Sequence, residues 1–365
     1  MRKLVFFSAI ASPHWVRFNP HLRTVYDAEF YFYERSAGRQ SFWEVPLGEH
    51  CHVLGARFSW KRRYCTLAVL KVLREENPDI VLLGGFSVPS NYLAYLWAKR
   101  HKRRVVVITE RSRVRATGKP RPYDWKWKLL HWLYHDVDQV MVTASDIAPQ
   151  FRDDYKFGSR VVVGQYPADI DRYYSHPVRG RKDTYTLIFA NRLTDIYNPL
   201  AAVRIFSMVR KRHVNVRMRM NATGELRADV EAFIGKLGLK ESVEFLDGIK
   251  SWDDLGNVYK TSDIMLLPAK YSNGNYTIFE CMVSGMACIV SENVLGTGPA
   301  KMRAIGAGRV LPLDEGVFTD AICEYIENPT LFADDARKSR EGFSSLTMSG
   351  TARLYGKLFE EFKLA

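Results

Sequence analysis

Short apolar runs separated by stretches of helical spacing recur along the whole chain. Leu4–Ile10 is a run of strand length, and Trp43–Pro46 and His52–Leu54 are weaker ones. Ser12 to Arg17, between the first run and the next polar stretch, reads as a loop. Tyr64–Arg74 spaces its apolar residues like a helix and ends at Asn77-Pro78. Ile80–Leu83 reads as a buried strand stopped by Gly84-Gly85. Ser90–Arg100 reads as a helix, Val105–Ile108 as a strand, Trp125–Tyr134 as a helix and Val140–Val142 as a strand. Such alternation predicts an α/β fold with a parallel sheet and right-handed crossovers.

The pattern then pauses. Val161–Tyr173 is polar and aromatic, and residues 173–184 read as a linker rich in Arg, Pro and Gly. A second alternation follows. Its strands are Tyr185–Ala190, Val216–Met220, Val243–Leu246, Ile264–Leu267 and Cys288–Val290. Its helices are Pro199–Arg210 with Asn198 as N-cap, Arg227–Leu237, Leu255–Ser262 and Thr277–Ser284 with Gly285 as the stop. Thr351–Phe362 is an amphipathic helix. Two α/β domains of ordinary size account for 365 residues.

The candidate chemistry gathers after Leu267. A polar loop, Tyr271–Asn275, leads into a helix start at Asn275, Tyr276 and Thr277, whose backbone N–H groups suit a phosphate. Glu280 lies about one turn inside, where a carboxylate reaches a ribose diol. Gly224 and Gly248 stand at strand ends, either as ordinary turn residues or where ligands lie on an open parallel sheet.

Composition narrows the class. Hydrophobic residues make up 47% and charged ones 25%, the balance of a soluble globular protein. No apolar run reaches the roughly 18 residues of a membrane span. The start, Met1–Ala11, imitates a secretory leader but has a short apolar part and no plausible cleavage site, so it is read as the first strand. The five cysteines lack a C-x-x-C pair and suit reduced thiols in a cytoplasm. His131 and His135 are four apart without a third ligand, which fits a partly exposed helix surface rather than a metal site. The net charge of +13 is uneven: residues 1–170 hold 27 Lys+Arg against 16 Asp+Glu. The excess concentrates at Lys61–Arg63, Lys99–Arg104 and Arg111–Lys128, where Trp125, Trp127 and Trp132 interleave with Lys126 and Lys128. That mixture suits an anionic membrane surface, a nucleic acid or a solvated basic face.

Ser272–Ser291 resembles the nucleotide-sugar motif of retaining GT-B glycosyltransferases, in particular glycosyltransferase family 4, whose members usually read E-G-F-G-L-x-x-x-E-A-M-A-x-G-x-P-V-I. Glu280, Met282, Gly285, Ile289 and Val290 fall in place, while Ser272 stands where the first glutamate belongs. The likeness runs from about residue 185 to 315 and more weakly over 100–173. It implies two Rossmann-like domains with parallel sheets facing a cleft: residues 1–172 for the acceptor, 173–184 as linker, 185–345 for the nucleotide sugar, and 346–365 as a helix crossing back to the first domain.

The resemblance also implies roles. Arg192, following a strand, would neutralise the donor diphosphate and act in catalysis. The family's second cation is replaced by Tyr197 and Asn198, leaving Lys270 as a substitute. Donor contacts would come from Arg192, Gly224, Gly248, Lys270, Ser272, Asn275, Tyr276, Thr277 and Glu280. Thr109-Glu110 stands where the family often has H-D. Glu110 either orients and deprotonates an acceptor or pairs with nearby arginines such as Arg111, itself an acceptor candidate. His14 and Arg17 either meet a substrate or sit on a surface loop over Trp15. Retention of configuration, no metal and no cofactor are further implications. The expected partners are a nucleotide sugar, a lipid-linked, lipopolysaccharide or polysaccharide acceptor, and the cytoplasmic face of a membrane. Two alternatives stay open: a nucleotide-sugar-binding protein without catalysis, and a basic nucleic-acid-binding protein, against which the absence of any nucleic-acid module counts.

Overall fold

A computed structural model describes residues 1–36, 43–55, 58–60, 63–110, 129, 131–273 and 276–360. These divide into two units by their contacts. The first takes the described residues up to 169 together with 346–360, and the second takes 170–345.

The first unit contains β1 (Lys3–Ile10), α1 (Pro13–Leu22), β2 (Asp27–Glu34), β3 (Cys51–Val53), β4 (Phe58–Trp60), β5 (Arg63–Cys65), α2 (Ala68–Glu76), β6 (Ile80–Gly84), α3 (Pro89–Arg100), β7 (Arg104–Thr109), β8 (Gln139–Val142) and β9 (Val161–Val163). Seven of these strands form one parallel sheet in the order β3-β2-β1-β6-β7-β8-β9, and β4 and β5 form a separate antiparallel hairpin. The second unit contains β10 (Tyr185–Phe189), α4 (Pro199–Arg212), β11 (Val216–Met220), α5 (Arg227–Lys236), β12 (Val243–Phe245), α6 (Asp254–Lys260), β13 (Ile264–Leu267), β14 (Ser272–Asn273), α7 (Tyr276–Val283), β15 (Ala287–Ser291), β16 (Val294–Leu295), α8 (Thr297–Ile305), β17 (Arg309–Leu311), α9 (Glu315–Glu327) and α10 (Thr330–Gly342). Its six-stranded parallel sheet runs β12-β11-β10-β13-β15-β17. Central strands such as Ile264–Leu267 and Ala287–Ser291 are buried throughout, which is why they read as unbroken apolar runs.

The last helix, α11 (Met348–Glu360), belongs to the first unit. Its apolar face packs Tyr355 edge-on against Phe18 of α1 at 5.3 Å. Tyr355 also donates to the Gln165 carbonyl at 2.7 Å, and Gln139 donates to the Leu358 carbonyl at 3.2 Å.

Several expectations are corrected. The second strand of the first sheet is Asp27–Glu34, whose acidic residues at 27, 29 and 34 disguise the buried Phe30–Tyr33 run; Trp43–Pro46 forms no strand. Ser12 to Arg17 is not a loop: the Ser12 side chain accepts from the Trp15 N–H, Pro13 opens α1, and His14 and Arg17 lie on that helix. The expected helix from Tyr64 starts only at Ala68, because Arg63–Cys65 pairs with Phe58–Trp60. Asn198 precedes α4 but adopts φ +58 and makes no side-chain cap. Tyr271–Asn275 is not wholly a loop, since Ser272 and Asn273 pair with Val294 and Leu295. His131 is buried rather than partly exposed. Half of Trp125–Tyr134, namely Trp125 to Lys128 and Leu130, lies outside the described residues, as do Arg111 and Asn275.

Candidate functional site

Both main sheets have the doubly-wound order, with the first strand of each unit beside the fourth of the sheet's sequence. The order reverses between β1 and β6 in one unit and between β10 and β13 in the other. Ligands on such sheets bind outside the carboxyl ends of the strands at this reversal. In the second unit the two loops leaving it carry Arg192, after β10, and Lys270, after β13.

These loops are tied to each other. The Lys270 N–H donates to the Ile196 carbonyl at 2.9 Å, and Lys270 Nζ donates to Asp195 Oδ1 at 2.5 Å. Arg192 is exposed and makes no ion pair among the described residues. Beside it, Asn191 Oδ1 and Thr194 Oγ1 are buried without a hydrogen-bond partner among the described residues. Sequence reading passed over Asn191, Thr194 and Asp195; buried polar atoms at a strand's carboxyl end are visible only in three dimensions.

Gly224 has a steric reason for being glycine. At φ +144 its backbone lies against Leu193, and a Cβ would meet the Leu193 carbonyl oxygen at 2.2 Å. The same contact is held by Leu193 N–H to the Thr223 carbonyl at 2.7 Å and Leu226 N–H to the Leu193 carbonyl at 2.9 Å. Gly224 thus fixes the loop that carries Arg192. Gly248 is exposed, and nothing lies within 4 Å of the place its Cβ would take.

Ser272 is buried in its short strand, and Tyr276 and Thr277 open α7 half-buried. Glu280 faces inward from α7 with 3% exposure, and Tyr259 at the end of α6 donates to its Oε2 at 3.2 Å. Burial, with the Glu280 charge next, pushes the Tyr259 phenol well above its ordinary value, so it remains a donor. Buried Arg179 holds the ends of α6 and α7 together, donating to the carbonyls of Tyr259, Ser262 (2.9 Å) and Ser284.

In the first unit, Glu110 follows β7 and helps line a cavity of about 200 Å³ with Gly84–Ser87, Ile108, Thr109, His131, Phe151 and Tyr166. Burial raises the Tyr166 phenol well above its ordinary value, and the Glu110 charge adds to this. His14 is buried, accepting from the Asp169 N–H at 3.2 Å, and Arg17 pairs with Asp169 Oδ2 at 3.0 Å. These two residues brace the segment after β9 instead of standing on an open loop. Neither His131 nor Tyr166 stands out as a site residue in the sequence, where Tyr166 is one residue of the polar, aromatic Val161–Tyr173 stretch. Among the described residues no cluster of His, Cys, Asp or Glu could hold a metal ion, and no helix is long and apolar enough to cross a membrane.

Comparison with known proteins agrees with this architecture. Residues 27–172 match the family model Glycosyltransferase Family 4, and residues 175–299 match Glycosyl transferases group 1. An uncharacterized glycosyltransferase of Methanocaldococcus jannaschii is 28% identical over 110 residues, 30% of this chain and 28% of that protein. The match thus spans well under two thirds of that relative's length. Anabaena HepE in complex with UDP-glucose superposes with a TM-score of 0.73 at 12% identity, over 99% of this chain and 100% of HepE. WaaG, a glycosyltransferase involved in lipopolysaccharide biosynthesis, superposes with a TM-score of 0.68 at 12% identity, over 97% of this chain and 99% of WaaG. The fold is GT-B. Each of the two glycosyltransferase family models matches one part of the chain, the first part resembling family 4.

Proposed function

We propose that this chain moves a sugar from a nucleotide-diphosphate sugar to a lipid-linked, lipopolysaccharide or polysaccharide acceptor, with retention of configuration and without a metal. The observation that carries this reading is the arrangement at the reversal of the second sheet. Two cationic side chains, Arg192 and Lys270, leave the two strands that flank it, and Glu280 lies in the helix that follows. In this reading Arg192 and Lys270 hold the diphosphate, joined by the backbone at Asn275, Tyr276 and Thr277. Glu280 accepts from the ribose hydroxyls. Fixed positive groups then stabilise the departing diphosphate as its charge grows, and Glu110 meets the acceptor in the first unit. HepE was crystallised with UDP-glucose, so uridine donors are the first to test.

Exposed Trp132 and Leu129 beside the basic segment favour a peripheral position on an anionic membrane. Ser272 in the place of the family's first glutamate favours a second reading, a nucleotide-sugar binder without turnover.

The test is a thermal-shift screen of the full chain against UDP, GDP, ADP, TDP and CMP and their sugars, followed by transfer and hydrolysis assays with and without EDTA. A ligand that binds the folded state raises the melting point by mass action. No shift with any nucleotide would overturn the donor site. Binding without transfer or hydrolysis would establish the second reading. Activity lost to EDTA and restored by a divalent ion would contradict the metal-free mechanism.

A further inference from the structure

The ends of α6 and α7 in the second unit meet around one buried side chain that takes no part in the donor contacts above. Arg179, 4% exposed, donates to four backbone carbonyls. Its Nε reaches Ser262 at 2.9 Å, its Nη1 reaches Pro177 at 2.6 Å and also Ser284, and its Nη2 reaches Tyr259. These carbonyls belong to three segments: the chain before β10, the last turn of α6 with the residues after it, and the end of α7. Carbonyls at a helix C-terminus lack intrahelical partners and carry the negative end of the dipole, so a cation between two such ends is stabilised. The close approach depends on Gly285, which stops α7 at φ +84. A Cβ there would lie 3.2 Å from the Pro177 carbonyl oxygen and 3.4 Å from Arg179 Nη1.

The junction leads to Glu280. Tyr259 takes part at both of its ends: its carbonyl accepts from Arg179, and its hydroxyl donates to Glu280 Oε2 at 3.2 Å. On α7, the Ser284 N–H donates to the Glu280 carbonyl at 3.0 Å, so the carbonyl that Arg179 grips lies one turn from the carboxylate. One guanidinium therefore fixes α6 against α7, and with them the angle at which the phenol meets Glu280. A lysine has only three donors on a single nitrogen and cannot span the same four carbonyls.

We propose that Arg179 is a positioning residue for the nucleotide, acting through Tyr259 on Glu280. The proposal rests on the reading of Glu280 as the ribose contact. Coupling of this kind is reciprocal, so a nucleotide held by Glu280 also tightens the Arg179 junction.

The experiment titrates the full chain with UDP, GDP, ADP and TDP and carries the tightest binder into a double-mutant cycle. Arg179→Lys keeps a charge near Asp263, whose Oδ1 lies 4.0 Å from Arg179 Nε, and gives up the fork. It should weaken that nucleotide by at least about fivefold in the wild-type background. With Glu280→Gln already present it should weaken it by less than about twofold, because the contact it positions is gone. Equal losses in the two backgrounds would make Arg179 a general support of the fold and overturn the proposal, as would unchanged affinity in the first. Hydrogen exchange on the wild-type chain decides the matter even if Arg179→Lys fails to fold. The bound nucleotide should slow exchange at 176–180 and 259–263 as well as in α7, and protection confined to α7 would overturn the proposal. If none of the four nucleotides binds the wild type, the donor-site reading falls and the proposal with it. Nucleotide binding with additive or absent losses in the cycle removes the role of Arg179 alone.

Discussion

The Tyr259 hydroxyl donates to the carboxylate of Glu280 at 3.2 Å, from one buried helix end to the inner face of another. The carboxylate proposed for the ribose is therefore oriented before any nucleotide arrives. Glu280→Gln should weaken both nucleotide sugar and free nucleoside diphosphate by about ten- to a hundredfold, the effect of losing a charge-assisted bond of roughly 1.5–3 kcal/mol. Tyr259→Phe should weaken them less while lowering stability, since it removes only the orienting donor. Titration calorimetry decides: unchanged nucleotide affinity in folded Glu280→Gln would take this residue out of the site.

Lys270 is already paired with Asp195, but both partners are about half exposed or more, so the pair contributes little to stability. Lys270→Ala should shift the melting point by no more than a degree or two and still lower donor affinity. Arg192→Ala should lower both donor affinity and turnover, because the diphosphate charge grows as the leaving group departs. Steady-state kinetics with the preferred donor separate the two. Wild-type kinetics in Arg192→Ala would leave it a surface arginine.

Gly224 and Gly248 make a matched pair of glycines. Gly224→Ala puts a methyl 2.2 Å from the Leu193 carbonyl oxygen. Backbone on both sides must move, at a cost on the order of 1–3 kcal/mol or more. Gly248→Ala enters open space and should stay within about 0.5 kcal/mol of wild type. Urea denaturation of both variants checks this; equal stability would mean that the Leu193–Gly224 contact does not constrain the fold.

His176 in the second unit should make stability fall with acid. Burial, helped by Arg179, Lys260, Arg340 and Arg172, lowers its pKa from 6.5 to about 4, and its Nδ1 is buried without a hydrogen-bond partner among the described residues. Between those two values the unfolded chain binds the proton and the folded one does not. Stability is therefore full above about pH 6.5 and declines as pH falls toward 4. His176→Asn removes this titration. The melting-point difference between wild type and variant should narrow from pH 7 to pH 4.5, and a difference independent of pH would contradict the linkage.

Trp132 is 64% exposed, unusual for so large a ring. If it enters a membrane interface, Trp132→Ala should reduce binding to vesicles containing anionic lipid, and salt should weaken the wild-type binding as the basic segment is screened. Equal partition onto neutral and anionic vesicles would reduce the basic segment to a solvated face.

Local pattern was enough to determine the two alternations of strand and helix, the helix beginning near Thr277 and its stop at Gly285. Such features depend on apolar spacing and on a residue that tolerates positive φ, both of which are written in the chain itself. The motif around Glu280 was legible for the same reason: its residues are neighbours in sequence. What the sequence left open concerns partners far apart along the chain. Asp27–Glu34 was overlooked because its acidic residues hide a strand whose burial depends on β1 and β3 on either side. His14 and Arg17 were placed on a loop, whereas the Ser12 cap and Asp169, some 152 residues from Arg17, hold them on a helix. His131 is a cavity residue only because Tyr155 and Phe86 close around it. Lys270 meets Asp195, and Gly224 meets Leu193, only after parallel crossovers bring separate loops to one end of the sheet. Spacing along a chain encodes contacts a few residues apart. The contacts that build a site span tens to hundreds of residues, and only the folded topology decides which of them form.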